Sequence, residues 1–373
     1  MIKPMNFIDL AAQQNRIKDK INDRIAKVLS HGQYILGPEV KEFETAISHY
    51  TKAKYVASCG SGTDALVLAL MAYNIGPGDI VFCPSFTFPA TAEAIAILGA
   101  TPYFIDVEYD TFNISISSLK AALYKVSKKQ IGKMKAIIAV DLYGLTANYD
   151  ALNEICRNNN LYLIADAAQS FGAEYFNKKV GVLADITCLS FFPAKPLGCY
   201  GDGGAVITNN SKIFEKLKSL RVHGKGKSKY DIDNIGINSR LDTIQAAILL
   251  AKLEEFEWEV NKRQRIASQY TKLLKEHITT PLIPKGYKSI WAQYTLKHKN
   301  RQVIQEFLKT RGIPTMVYYP KPMHRQKAYD KFYKEKLDNS EKLSTEVFSI
   351  PMYPDISNED QQYIIENLIK IIK

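Results

Sequence analysis

Between residues 54 and 210 the chain alternates two kinds of segment. Short apolar runs, rich in β-branched and aromatic residues, occupy 54–58, 80–84, 102–107, 136–141, 162–165, 187–192 and 205–208. Between them, 63–73, 91–98, 116–125 and 149–158 place apolar residues at helical spacing. Strands that are apolar throughout, separated by helices, predict a mostly parallel sheet covered on both faces, an α/β architecture.

The pattern changes after residue 242. Asp242-Thr-Ile-Gln245 has capping-box spacing and opens a helical periodicity that runs through Leu253 towards Leu274. Beyond it the spacing predicts a strand at 290–296, a helix at 303–310, a strand at 315–319 and a final helix after Ser357, a small α+β unit. The boundary is placed inside the long helix, giving a large domain 1–255 and a small C-terminal domain 256–373. No internal repeat or low-complexity tract interrupts either.

Composition narrows the classes. The 373 residues are 46% hydrophobic and 23% charged, an ordinary globular balance. No apolar run reaches membrane-span length, and the polar N-terminus lacks a signal-peptide core, so a cytoplasmic protein without membrane insertion is expected. Cys59, Cys83, Cys156, Cys188 and Cys199 are scattered and form no CxxC pair, which predicts buried thiols and no metal site. The net charge is +11, but the lysines are dispersed. The tightest clusters, 127–135 and 223–230, lack the interleaved aromatics of single-strand binding, and no helix-turn-helix or zinc-finger spacing occurs. No nucleic-acid partner is expected. A basic field also attracts phosphorylated ligands.

Four motifs carry candidate chemistry. Gly60-Ser-Gly62-Thr63-Asp-Ala65 follows a predicted strand and opens a helix, formally a dinucleotide fingerprint. The ribose-binding acid is missing, because the next strand ends in Pro84-Ser85 and Asp79 stands at its beginning. An anion site at a helix N-terminus survives as one reading, a plain strand-helix turn as the other. Asp166, in Ile164-Ala-Asp166-Ala-Ala-Gln169, ends a hydrophobic strand; it suits a partner for a protonated pyridine nitrogen or, alternatively, a helix cap. Lys195 lies between Pro193 and Pro196, which restrict the backbone and present the amine in a defined direction. The polar run Gly236-Ile-Asn238-Ser-Arg240-Leu-Asp242 is either an elaborate cap or part of a site. A phosphate turn, an acidic strand end and a presented lysine supply what a pyridoxal 5'-phosphate (PLP) enzyme needs.

These stretches resemble the DegT/DnrJ/EryC1/StrS sugar aminotransferases. The likeness runs from Phe7-Ile-Asp-Leu10 and Gly37-Pro-Glu-Val40 to Pro351-Met352, and is most specific over Ser190-Phe-Phe-Pro-Ala-Lys195-Pro-Leu-Gly-Cys-Tyr-Gly-Asp-Gly-Gly204. The resemblance implies a fold-type I aminotransferase, with a seven-stranded, mostly parallel sheet between helices. By the family pattern Lys195 carries the cofactor as an imine, Asp166 faces its ring nitrogen and Gln169 flanks the ring hydroxyl. Phe88 resembles the aromatic that stacks on the ring, core packing being its alternative. Gly62, Thr63 and Ser190 match the phosphate-binding positions. Asn238 resembles a residue that reaches the phosphate from a second subunit, and Arg240 one that enters the partner's site, which implies a homodimer. A lysine rather than a histidine at 195 favours transamination over dehydration.

The resemblance further implies a nucleotide-linked keto sugar as acceptor and glutamate as donor, in surface polysaccharide biosynthesis. Arg221-Val-His223-Gly and the run from Gly236 are similar to the 3-keto branch, and within it to enzymes for UDP-2-acetamido-3-keto-glucuronate. That branch carries His-Tyr-Pro where this chain has Tyr318-Tyr319-Pro320. Substrate contacts are thus expected at His223, Arg240, Tyr318 and Tyr319, the loop 223–230 being alternatively solvated. The alternatives are a 3-keto or 4-keto-6-deoxy sugar or a keto cyclitol as acceptor and, from another class, a non-catalytic regulatory protein.

Overall fold

The computed structural model describes residues 5–129, 133–228 and 230–372. Its strands are β1 (Tyr55–Cys59), β2 (Asp79–Pro84), β3 (Thr101–Ile105), β4 (Lys133–Val140), β5 (Tyr162–Asp166), the short β6 (Glu174–Tyr175) and β7 (Lys178–Lys179), β8 (Ile186–Ser190), β9 (Gly204–Thr208), β10 (Tyr287–Lys288), β11 (Tyr294–Lys297) and β12 (Val347–Ile350). Seven form the central sheet in the order β1-β9-β8-β5-β4-β2-β3. Only β9 runs against its neighbours, pairing antiparallel with both β1 and β8. The expected α/β sheet is present, with strand ends displaced by one to three residues at most termini.

Alternation along each strand builds two cores. Val56, Phe82, Ile137, Leu163, Leu189 and Ile207 enter one apolar cluster. Their neighbours Ala57, Val81, Ile138, Ile164, Cys188 and Val206 enter the cluster on the opposite face. Period-two side chains buried on both faces explain why the strands read as continuous apolar runs. Each fully buried aliphatic side chain contributes about 1.5–3 kcal/mol. A further cluster, including Tyr270, Leu274, Tyr294, Leu308, Phe348 and Leu368, surrounds the antiparallel pair β11–β12.

Two local expectations are corrected. The helical run after Asp242 is divided at Glu255 into Thr243–Glu254 and Phe256–Leu274, and Asp242 makes no side-chain cap. The Thr243 amide is given instead to Tyr34 O at 2.9 Å, and the Gln245 side chain is taken up by the Tyr200 backbone. Residues 315–319 are not a strand. Met316 makes one isolated bridge to Ser349, and β12 spends its pairing on β11. Prolines 314 and 320 flank the segment and withhold ladder donors.

All five cysteines are free and buried. Among the described residues no helix is long and apolar enough to cross a membrane, and no group of three or more His, Cys, Asp and Glu could hold a metal ion. Of the two basic clusters, residues 130–132 and 229 lie outside the described residues.

Candidate active site

The parallel strands end at one edge of the sheet, where Gly62, Thr63, Phe88, Asp166, Ser190 and the excursion carrying Lys195 follow or close the strands. After β1 the chain turns through Gly60-Ser61 into the helix Gly62–Ala72. Ser61 caps it by accepting from the Asp64 amide at 3.0 Å. The Gly62 and Thr63 amides, first in the helix, have no intrahelical acceptor, and the positive end of the dipole adds to their pull on an anion. Ser239 holds the turn in place, accepting from the Gly60 amide at 3.0 Å and donating to Asp64 Oδ2 at 2.7 Å.

The floor of this cradle is made by Ser190 at the end of β8. A Cβ on Gly62 would lie 2.6 Å from Ser190 Cβ, closer than real side chains approach. Gly204 is equally confined, since a Cβ there would meet Ser61 O at 2.2 Å. Gly62→Ala should therefore push the turn off Ser190 and weaken cofactor affinity by about 10-fold or more, measured by fluorescence titration of the cofactor-free protein.

Lys195 belongs to the excursion 191–203 between β8 and β9. Phe191 N–H donates to Gly203 O at 2.7 Å, Cys199 N–H to Phe191 O at 2.8 Å and Lys195 N–H to Phe192 O at 2.8 Å. The buried Lys252 ammonium donates to Gly198 O at 2.6 Å. Burial pushes the Lys195 amine below its ordinary pKa, and the Asp166 charge partly opposes this.

Asp166, the last residue of β5, is buried. Its Oδ2 accepts from Thr91 Oγ1 at 2.8 Å and its Oδ1 from the Ala168 amide at 3.3 Å. Burial raises its pKa, while the two donors and Lys195 pull it down. Asp166 is in parallel register with Cys188, so the carboxylate and the excursion that carries Lys195 leave the sheet side by side, and each charge acts on the other. A second buried carboxylate, Asp141 at the end of β4, accepts from Ser170, Tyr149 and the Ala147 amide, and burial pushes it up to about 7.

Gln169 is buried, with Oε1 accepting from the Tyr143 amide at 2.7 Å and Nε2 donating to the Tyr319 hydroxyl at 3.2 Å. Phe88 is 55% exposed, so it is not a core residue; its ring centroid lies 6.1 Å from that of Tyr319. Tyr318 accepts a hydrogen bond from the Tyr143 hydroxyl at its carbonyl and packs 6.3 Å from Phe7. Arg240 is half-buried, its carbonyl near Gly60. His223 and Asn238 are exposed. Among the described residues, no hydrogen bond or ion pair joins either of them to Lys195. Thr91 and Thr87, which tie the site together, are small polar residues without a motif of their own, while Ser239 lies in the 236–242 run whose flanking residues drew the attention.

A buried carboxylate near a half-buried amine, an anion cradle kept open by Gly62 and an exposed aromatic fit PLP, which offers a basic ring nitrogen, an aldehyde, a phosphate and a flat ring. The comparisons agree. The family model for DegT/DnrJ/EryC1/StrS aminotransferases matches residues 15–369. The UDP-2-acetamido-2-deoxy-3-oxo-D-glucuronate aminotransferase of Pseudomonas aeruginosa is 47% identical over 351 residues, covering 94% of this chain and 95% of its own. A crystal structure of a DegT DnrJ EryC1 StrS aminotransferase from Brucella abortus superposes with a TM-score of 0.97 at 46% identity, over 99% of both chains. NtdA from Bacillus subtilis, solved with bound cofactor PMP, superposes with a TM-score of 0.91 at 29% identity, over 100% of this chain and 86% of that one. This chain belongs to the DegT/DnrJ/EryC1/StrS family of PLP-dependent aminotransferases.

Proposed function

We propose that this enzyme aminates C3 of UDP-linked 2-acetamido-3-keto-glucuronate with glutamate as donor, in the cytoplasm, for a surface polysaccharide. The observation that carries transamination is the buried Asp166 carboxylate at the sheet edge, in register with the strand that leads into the Lys195 excursion. The sugar is inferred from the substrate named for the Pseudomonas relative.

The bound cofactor supplies an electron sink for the substrate carbon next to nitrogen. With it bound, Asp166 would keep a proton on the ring nitrogen and Gln169 would serve the ring hydroxyl. Gly62, Thr63 and Ser190 would hold the phosphate, and Phe88 would cover the ring. Lys195 holds the cofactor between turnovers and moves a proton at the substrate carbon. Tyr318, Tyr319, His223 and Arg240 contact sugar and nucleotide. We divide the chain for this purpose into the cofactor-binding unit 1–255 and the smaller unit 256–373.

A panel of UDP- and dTDP-linked keto sugars tests the acceptor, with glutamate as donor. Turnover of the 3-keto uronate at least about 10-fold above the others is expected. Activity on a 4-keto sugar and none on any 3-keto sugar overturns this choice.

A homodimer with shared sites is part of the same reading. It is supported by exposed Tyr34, Ile35 and Leu36, which adjoin Asp242 through the Ile35–Asp242 bridge, and by exposed Ile232 and Ile235 in the hairpin that leads to Asn238. Apolar surface of this kind marks an interface. If Arg240 serves the partner's site, inactive Lys195→Ala and Arg240→Ala proteins, mixed by co-expression, should recover about a quarter of wild-type activity, because each hybrid dimer holds one intact site. No recovery counts against sharing.

A further inference from the structure

Behind the loop that carries Phe88 lies a buried polar relay which none of these roles uses. Ser85 directly follows β2 and has 0% exposure; His324 has 1%. Ser85 Oγ lies 2.6 Å from His324 Nδ1 and accepts from the His324 amide at 3.2 Å. The Met323 amide donates to Ser85 O at 2.8 Å. On the far side of the ring, Nε2 lies 3.1 Å from Glu341 Oε1, which also accepts from Arg325 Nε at 3.1 Å and Nη2 at 2.8 Å. The helix carrying Glu341, Asp338–Glu346, is anchored at the end of β3, where Asp106 accepts from the Asn339 amide and from the Ser340 amide and hydroxyl.

Chemistry sets the hydrogen positions. Glu341, paired with Arg325, is a carboxylate and only accepts, so His324 Nε2 carries a hydrogen. Burial pushes His324 below its ordinary pKa, and in the neutral ring with Nε2 protonated, Nδ1 accepts from the Ser85 hydroxyl. The Ser-His-Glu order resembles a hydrolase triad, but a serine with no exposed surface, facing Nδ1 rather than Nε2, cannot reach a substrate.

Towards the site, Phe86 is buried and Thr87 Oγ1 lies 3.0 Å from Thr91 Oγ1. Because the Thr91 hydroxyl donates to Asp166, Thr87 is the donor to Thr91. The relay thus joins the segment following Tyr319 to the loop bearing Phe88 and, through two threonines, to the carboxylate.

We propose that Ser85 and His324 are positioning residues for the cofactor site, with Glu341 setting which imidazole nitrogen carries the hydrogen, and that they fix the backbone 85–88 against the segment after Tyr319 and so set the pose of Phe88 and the Thr87–Thr91–Asp166 chain. This rests on the reading that Phe88 covers the cofactor ring.

Two isosteres divide the relay. Asparagine at 324 keeps an acceptor where Nδ1 stands, and glutamine keeps a donor where Nε2 stands. The readouts are melting temperature, the visible circular dichroism of the bound cofactor, kcat and KM, and amide hydrogen exchange over 85–91 in cofactor-free protein. His324→Asn should retain the dichroic signal, slow exchange and kcat within about 3-fold. His324→Gln and Ser85→Ala should alter the signal, speed exchange at 85–91 and lower kcat by about 10- to 100-fold, with KM much less changed. Equal behaviour of Asn and Gln, with losses that follow melting temperature alone, overturns the proposal, as does a native signal and exchange pattern in Ser85→Ala. If the His324 variants fail to fold, Ser85→Ala decides. Phe88→Ala reports separately: an unchanged cofactor signal there removes the Phe88 reading, while exchange at 85–91 still judges the relay.

Discussion

Lys195→Ala should give a folded protein without the visible absorption of the covalently held cofactor, its turnover reduced by at least about 10,000-fold. The amine is the group that burial makes available for attack, by lowering its pKa. No nearby substitute is placed to replace it. Lys252, a buried amine of this region, is committed to Gly198 O and lies 4.4 Å from the Tyr200 ring centroid. Folding should survive, because the substitution removes a desolvated cation and leaves the backbone bonds of the excursion intact. The pH dependence has a definite sign. In the cofactor-free protein, where the amine is free to titrate, the unfolded chain binds the extra proton between the lowered native pKa and the unfolded value of about 10.4, so cofactor-free wild-type stability climbs with pH. The variant lacks that slope, and its melting temperature relative to cofactor-free wild type should be most favourable on the low-pH side of this window. Absorbance, turnover and calorimetry across pH check all three statements; a variant that still turns over removes Lys195 from its role.

Asp166→Asn should cost about 1,000-fold in kcat, roughly 4 kcal/mol of transition-state stabilisation. The amide matches the carboxylate in size and can still meet Thr91 and the Ala168 amide, so packing is preserved. It carries no charge, and so cannot hold a proton on the ring nitrogen. Thr91→Val separates charge from geometry. Removing a donor from a buried carboxylate favours the neutral acid and raises its pKa. The acidic limb of the kcat/KM profile should therefore move to higher pH, with about 10-fold loss near neutrality. An Asn variant with wild-type kcat, or a Thr91→Val profile displaced to lower pH, contradicts this account.

Much of the frame was legible before the fold was known. The seven central strands are apolar on both faces, so they stood out as uninterrupted runs; their ends were displaced because hydrogen-bond pairing, not hydropathy, sets them. Asp166 was readable as a strand end and Lys195 as a lysine trapped between prolines. The helices Lys18–His31 and Pro38–Thr51 were recoverable from Ile21 and Val28 and from Val40, Phe43 and Ile47, but not from the strand-helix alternation that begins at 54. Gln245 had the spacing of a capping residue and is drawn instead to Tyr200, a contact that only tertiary structure creates. Thr91, Ser239 and His324 were illegible for the same reason. Each acts on a residue 75 or more positions away, and their types are common everywhere. The Tyr318–Tyr319 segment reads as β by composition, yet its neighbours in space had already been paired.

The stretch 191–203 leaves the sheet at Ser190 and returns at Gly204, and those two residues face each other across β8 and β9. Because β9 runs backwards, departure and return share one address, and the reactive nitrogen is located by main-chain closure rather than by its side-chain neighbours. The surfaces proposed to greet the sugar, 223–240 and 318–319, come from other parts of the chain. Natural drift or an engineer could therefore redraw what is accepted, residue by residue, while the point of attack stays where the strands have moored it.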